Sequence, residues 1–308
     1  MFNELDYSFA RYLSAKKSVD DRALNRCVWD KFRETLATFD RSRPLNILEI
    51  GSGIGTMFER SIQWGLWDAA QYTALDSMRE NILEARLRLP LWANKIGYCV
   101  DDLSETEFRF HGSGIDMTLD LRTGDFFEFA EQCRPAEKWD VIMANAFMDL
   151  VDVGKTLPIM LNLLKPQGLL FLTINFDGVT IFEPGIDRVL DSLIERLYHQ
   201  TMDERIINGD VSGDSKTGRH LFEHARNNGL EILEAGSSDW AVFAGKDGYR
   251  EDEAYFLHFL IHTMYLALKN RPEIDQNRFK DWIENRHSQV EQRELVFMAH
   301  QIDLLCRK

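Results

Sequence analysis

Residues 45–56 read LNILEIGSGIGT, and this stretch decides the fold. Leu45, Ile47, Leu48 and Ile50 make a nearly continuous apolar run of strand length, the pattern of a strand buried in a parallel sheet. Glu49 lies one residue from its end. Gly51, Gly53 and Gly55 follow at alternate positions and remove the Cβ atoms that would hold a ligand off the backbone before the next helix begins. A dinucleotide site requires G-x-G-x-x-G. Here the third glycine comes one residue early and Thr56 stands where that pattern has glycine, so the turn is read as nucleoside-binding but not dinucleotide-binding.

Working outward, the pattern alternates. A helix is expected near 55–64, a second strand at Tyr72–Asp76, and a helix over 78–88. The stretches 107–110 and 116–121 read as a hairpin feeding the third core strand. Trp139–Ala144 is a fourth strand, 154–164 a helix, and Pro166-Gln167-Gly168 turns into a fifth strand at Leu169–Ile174. An amphipathic helix is expected over 184–203, a polar loop over 206–218 and a helix over 218–228; strands at 230–234 and 239–244 would complete the sheet. The predicted fold is α/β: a doubly wound, mostly parallel seven-stranded sheet with an antiparallel last strand. Residues 3–39 show two amphipathic helices broken at Ser18–Asp21, and 251–308 reads as helical throughout. The expected division is a helical cap over 1–42, the α/β domain over 43–248 and a helical segment over 249–308, with the added helices forming a lid.

The sequence E-x-G-x-G-x-G, carried by Glu49, Gly51, Gly53 and Gly55, resembles motif I of the class I S-adenosylmethionine-dependent methyltransferases. LLKPQG before an apolar run, at 163–168, is also typical of that family. The resemblance covers about residues 45–245 and implies S-adenosylmethionine as cofactor. It implies that Glu49 organises the glycine loop, including Ser52, and the cofactor amino group. Asp76, with Ser77 beside it, would accept the ribose hydroxyls, or else only cap the next helix; Met78 would pack on the adenine. Asp125 would accept the adenine amino group with Phe126 alongside, or else only cap its own helix. Asn145 and Ala146 would line the methyl-transfer channel. The N-A-F-M there is not the N-P-P-Y type associated with amino groups of bases and glutamine.

The rest of the chain narrows the acceptor by exclusion. A formal net charge of −14 opposes binding to a polyanion, and no stripe of Lys and Arg interleaved with aromatics is visible, so nucleic acid is not expected. No apolar run is long enough to span a bilayer, and the first residues lack the basic-then-apolar grammar of a signal peptide, so a cytoplasmic location is expected. Cys27, Cys99, Cys133 and Cys306 are scattered without a C-x-x-C pair, which suggests neither a zinc site nor a disulfide framework. His258 and His262 are four residues apart without the glutamate of H-E-x-x-H, and no metal is expected. The sequence carries no signal for oligomeric state.

Methyl transfer to a small molecule is the expected activity, with protein or tRNA methylation, or a non-catalytic S-adenosylmethionine-binding role, as alternatives. The reaction asks for alignment, desolvation and, for acidic nucleophiles, a base. Candidates for the catalytic role are His220 at the start of GRHLFEHARNNG, Tyr12 in the first helix and Asp239 next to Trp240. His220 can equally be a surface histidine at a helix start. A basic residue in the charged stretch of Arg11, Lys16, Lys17 and Asp20-Asp21-Arg22 could pair with the cofactor carboxylate, or the stretch could be a solvated helix junction with capping aspartates.

Overall fold

The computed structural model describes residues 7–134, 138–207 and 209–308. Helix α1 (Phe9–Ala23) begins where the Ser8 side chain accepts a hydrogen bond from the Arg11 N–H, and α2 (Arg26–Leu36) where Asn25 accepts from Val28. The break therefore falls at Leu24-Asn25. Ser18–Asp21, read as the junction, continues α1, because Ser18, Val19 and Asp20 are buried against the body of the protein. LNILEI forms β1 (Leu45–Ile50), in which only Asn46 is not buried. There follow α3 (Thr56–Gln63), β2 (Ala69–Asp76) and α4 (Arg79–Lys95), which runs past the expected end. Three antiparallel strands come next: β3 (Cys99–Asp102), β4 (Glu107–Gly112) and β5 (Ile115–Thr123). The expected hairpin is β4–β5, and β3 extends it outward.

Then come α5 (Phe126–Gln132), β6 (Trp139–Asn145), a 3-10 turn at Met148–Leu150, α6 (Val153–Leu163) and β7 (Leu164–Glu183). Beyond β7 lie α7 (Arg188–Asp203) and the small ribbon β8 (Ile206–Ile207) and β9 (Asp210–Val211), inside the stretch expected to be loop. The chain continues through α8 (Thr217–Asn227), β10 (Glu231–Ser237), β11 (Trp240–Val242), α9 (Glu253–Leu268), α10 (Gln276–Glu291) and β12 (Val296–Arg307).

The main sheet runs β10-β12-β7-β6-β1-β2-β5-β4-β3, with β11 attached to β12, making ten strands among the described residues where seven were expected. Its centre, from β7 to β5, is parallel. Ile47, Val141, Met143, Leu169 and Phe171 pack on one face, towards α1, α2, α3, α4 and α9. Leu48, Ile142, Leu170 and Leu172 pack on the other, towards α5, α6 and α8. Burial on alternating sides is what a doubly wound sheet requires.

One expectation fails in an informative way. Residues 296–307 are not helical: they form β12, antiparallel to both β7 and β10. This, and not 239–244, is the antiparallel strand that completes the sheet. VFMAHQIDLLCR carries no strong local strand signal, and its conformation is imposed by the two neighbours it fits between. Helices α9 and α10 are thus an excursion between two strands of one sheet.

Candidate active site

Strand β1 delivers Glu49 and the glycine loop to the carboxyl edge of the sheet, the edge where ligands bind in such folds. Gly51 and Gly53 take left-handed φ values of +68° and +55°. A Cβ on Gly51 would come within 3.1 Å of Phe147, and one on Gly53 within 3.1 Å of Leu13 in α1, so the loop is pressed from two sides. Gly55 serves a different purpose. A Cβ there would meet Leu89 of α4 at 2.7 Å, and Gly55 does not line the cavity into which the loop faces.

That cavity has a volume of about 470 Å³. Glu49, Gly51, Ser52 and Gly53 line it from the loop, Asp76, Ser77 and Met78 from the end of β2, and Asp125 and Phe126 from the start of α5. Asn145 and Ala146 close this half from the end of β6. Asp76 is buried, and its Oδ2 accepts the Gly53 N–H at 2.8 Å. Its Oδ1 accepts from the Met78 N–H at 2.9 Å and from Asn81 Nδ2 at 3.0 Å. The acid thus ties the loop to the head of α4, and one of its roughly four lone-pair sites stays open. Asp125 is similarly divided. One oxygen caps α5 through the N–H groups of Phe127 at 2.8 Å and Glu128 at 3.2 Å, and no described residue engages the other.

Glu49 is fully buried and accepts the Tyr72 hydroxyl at 2.7 Å. Burial pushes its carboxyl up to about 8, and Tyr72 and Arg60 offset only part of that. Close by, the buried Ser52 hydroxyl has no hydrogen-bond partner. A buried acid without a direct ion-pair partner among the described residues and an orphaned hydroxyl, both on residues of the cavity wall, are groups that a ligand can satisfy.

The same cavity continues under α1. This half is walled by Tyr12 of α1, Phe176 of β7, Tyr198 and Met202 of α7, Trp240 of β11, and Leu260 and Met264 of α9. Its polar groups are Lys16, Asp20, Asp149, Thr180, Arg205 and Gln301. Lys16 and Asp20 form a buried pair at 2.5 Å, with the Trp240 indole N–H donating to Asp20 at 2.9 Å. β7 bends into the chamber at Ile174, a non-glycine residue at φ +56°. Asp303 of β12 holds that bend, accepting the Ile174 N–H at 2.7 Å and the Asn25 N–H at 2.8 Å. The start of α1 is fastened by Tyr255, whose hydroxyl accepts the Ser8 N–H at 2.7 Å and donates to the Ser8 carbonyl at 3.1 Å.

Residues 22–235 match the family model described as a methyltransferase domain. The chain belongs to this family. It is a methyltransferase, and S-adenosylmethionine is its cofactor. No curated protein matches the sequence. Among solved structures, the YcgJ protein from Bacillus subtilis is 14% identical, over 91% of this chain and 98% of that one, with a TM-score of 0.44. A phosphoethanolamine N-methyltransferase from Haemonchus contortus is 11% identical, over 99% of this chain and 59% of that one, with a TM-score of 0.42. The donor half of the cavity fits S-adenosylmethionine: Glu49 would offer a buried carboxyl to its ammonium, Asp76 an acceptor to its ribose, and Met78 and Phe126 apolar surface to its adenine.

Of the three candidates for a catalytic role, the methyltransferase fold brings only Tyr12 to the cavity. Burial holds the Tyr12 phenol well above its ordinary pKa. His220 does not line the cavity; it is half-exposed and pairs with Asp214 at 2.5 Å. The reason is α8's orientation, with Leu221 and Ala225 turned onto the sheet. Asp239 pairs with His300 at 2.7 Å and is exposed, because strand alternation turns Trp240 inward and its neighbour outward. Asn175 is fully buried, donates to the Ile302 carbonyl at 2.8 Å, and does not line the cavity. Asp149, Tyr198, Arg205 and Gln301 were not anticipated as site residues. Asp149 was the most accessible of these, since it closely follows the Asn145-Ala146 strand end.

Among the described residues no group of three or more His, Cys, Asp or Glu could hold a metal ion. No helix among them is long and apolar enough to cross a membrane.

Proposed function

We propose that this methyltransferase transfers the methyl group of S-adenosylmethionine to a small-molecule acceptor. The observation that carries the reading is the continuity of one cavity, from the glycine loop and strand-end acids into an apolar chamber roofed by α1 and α9. Bound in the donor half, S-adenosylmethionine supplies a methyl carbon activated by a positively charged sulfur. Asp76, Met78 and Phe126 orient the nucleoside, and Glu49 with Ser52 orients the amino-acid end. Tyr12, Phe176, Tyr198 and Trp240 exclude water from the acceptor's side, where alignment and desolvation do most of the work.

The roof favours a compact acceptor over a protein or tRNA, which would call for an open groove. The test is to incubate the protein with S-adenosylmethionine carrying a labelled methyl group in a metabolite extract and to find the labelled product by mass spectrometry, with Asp76→Ala as control. A labelled small molecule formed by the wild type alone is the expected result. Binding of S-adenosylmethionine without any S-adenosylhomocysteine formed would point to a sensor or scaffold.

A further inference from the structure

We propose that the acceptor is a small amine with an apolar body: its ammonium pairs with Asp149, which takes one proton, and the freed nitrogen lone pair then bonds the methyl carbon as the carbon–sulfur bond breaks and its electron pair stays on sulfur, with a second N–H shared with Gln301. This inference rests on the methylation reading above and adds the class of acceptor. Asp149 belongs to the 3-10 turn that follows the end of β6, so it lies next to the channel residues Asn145 and Ala146. Its Oδ1 is buried with no hydrogen-bond partner, and the residue lines the cavity. Gln301 comes from β12, is 2% exposed, lines the same cavity, and its Oε1 is also without a partner. Two buried, unpartnered acceptors on residues that line one chamber leave an unmet need for donors, and a buried polar atom left unpaired costs about 1–3 kcal/mol.

The surrounding charges select among donors. Arg205 does not pair with the Asp149 carboxylate; its guanidinium donates to the main-chain carbonyl of Asp149 at 3.4 Å. Lys16, the other cation on the wall, is committed to Asp20. The Asp149 carboxylate is therefore free to meet a cation from a ligand, and burial, which raises its pKa above the usual carboxylate range, favours its taking a proton from that cation. A carboxylate on the acceptor would instead be repelled. The aromatic faces of Trp240, Phe176 and the two tyrosines accommodate a cation as readily as an apolar body. The net charge of −14 adds a field that draws in cations.

The experiment is calorimetric titration of the full chain, first with S-adenosylhomocysteine and then, with that site saturated, with 2-phenylethylamine, 2-phenylethanol and phenylacetate in turn. The expected result is that the amine binds at least about tenfold more tightly than phenylacetate, and that Asp149→Asn removes this preference while S-adenosylhomocysteine affinity is retained. Gln301→Leu should weaken amine binding by a smaller factor. Phenylacetate binding as well as or better than the amine overturns the proposal and makes Arg205 the selecting group; unchanged amine affinity in Asp149→Asn, or no amine binding at all, also overturns it. Failure of S-adenosylhomocysteine to bind would instead overturn the methylation reading. If Asp149→Asn does not fold, the amine and acid series on the wild type decides alone.

Discussion

The donor half of the cavity and the acceptor half are made from opposite kinds of sequence. Every donor residue, from Glu49 to Ala146, lies at a strand end, in the turn just after one or at the first residue of the helix that follows, in a region where strands and helices alternate. The acceptor half draws Tyr12, Phe176, Tyr198, Trp240, Met264 and Gln301 from six separate elements. A site built from turns after parallel strands carries its geometry in local spacing. A site built from the inner faces of packed elements takes its geometry from tertiary contacts, so it can change its lining without disturbing the donor.

If the halves are separable in this way, substitutions in one should leave the other's ligand unaffected. Asp76→Ala should have the largest effect, lowering S-adenosylhomocysteine affinity by about 2 kcal/mol, or roughly 30-fold, through the loss of a charge-assisted hydrogen bond. Unchanged affinity by calorimetry would falsify the ribose assignment.

Glu49 sharpens the comparison through pH. Its folded pKa of about 8 lies above the ordinary 4.5, so the folded state holds a proton that the unfolded state releases between these values. Its contribution to stability is complete below pH 4.5 and is lost as pH rises through 8. Chemical denaturation of Glu49→Gln against wild type should show this slope flattened, by a difference on the order of 5 kcal/mol across the window. A parallel pair of curves would mean that Glu49 is already ionised in the folded protein. Gly53→Ala is expected to cost about 1–2 kcal/mol of stability, because the loop needs a left-handed φ there and Leu13 stands 3.1 Å from the new Cβ. A melting temperature equal to that of wild type would show that α1 yields freely at this point.

The smallest effects are expected for His220→Ala and Asp239→Ala. Both side chains are on the outer surface, so turnover should stay within about twofold and stability within about 0.5 kcal/mol of wild type. A loss of turnover with folding intact would bring the loop at Asp214 into the mechanism.

These contrasts also explain what could be read from the amino acids. β1, β2, β5 and β6 and the acids beside them follow from the spacing of apolar residues and glycines, which is local information. The helix break at Asn25 and the strand at 296–307 do not, since Ser18–Asp21 looks like a turn and VFMAHQIDLLCR looks like the end of a helical region. Only burial of Asp20 beside Trp240, and the gap between β7 and β10, decide those stretches. Gln301 was invisible for that reason. His220 and Asp239 stood out because their residue types are chemically active, and residue type says nothing about which way a side chain points.

β12 has one more consequence. It pairs with β7 across more than about a hundred residues of intervening chain, and β10 joins the sheet only through it. Closing so long a loop delays the pairing that rewards it. Folding should therefore proceed from a parallel centre that assembles early to an edge that waits for β12. The chamber wall bearing Phe297 and Gln301 is set in that same late step, so a half-folded molecule could present the glycine loop before it has any place for an acceptor.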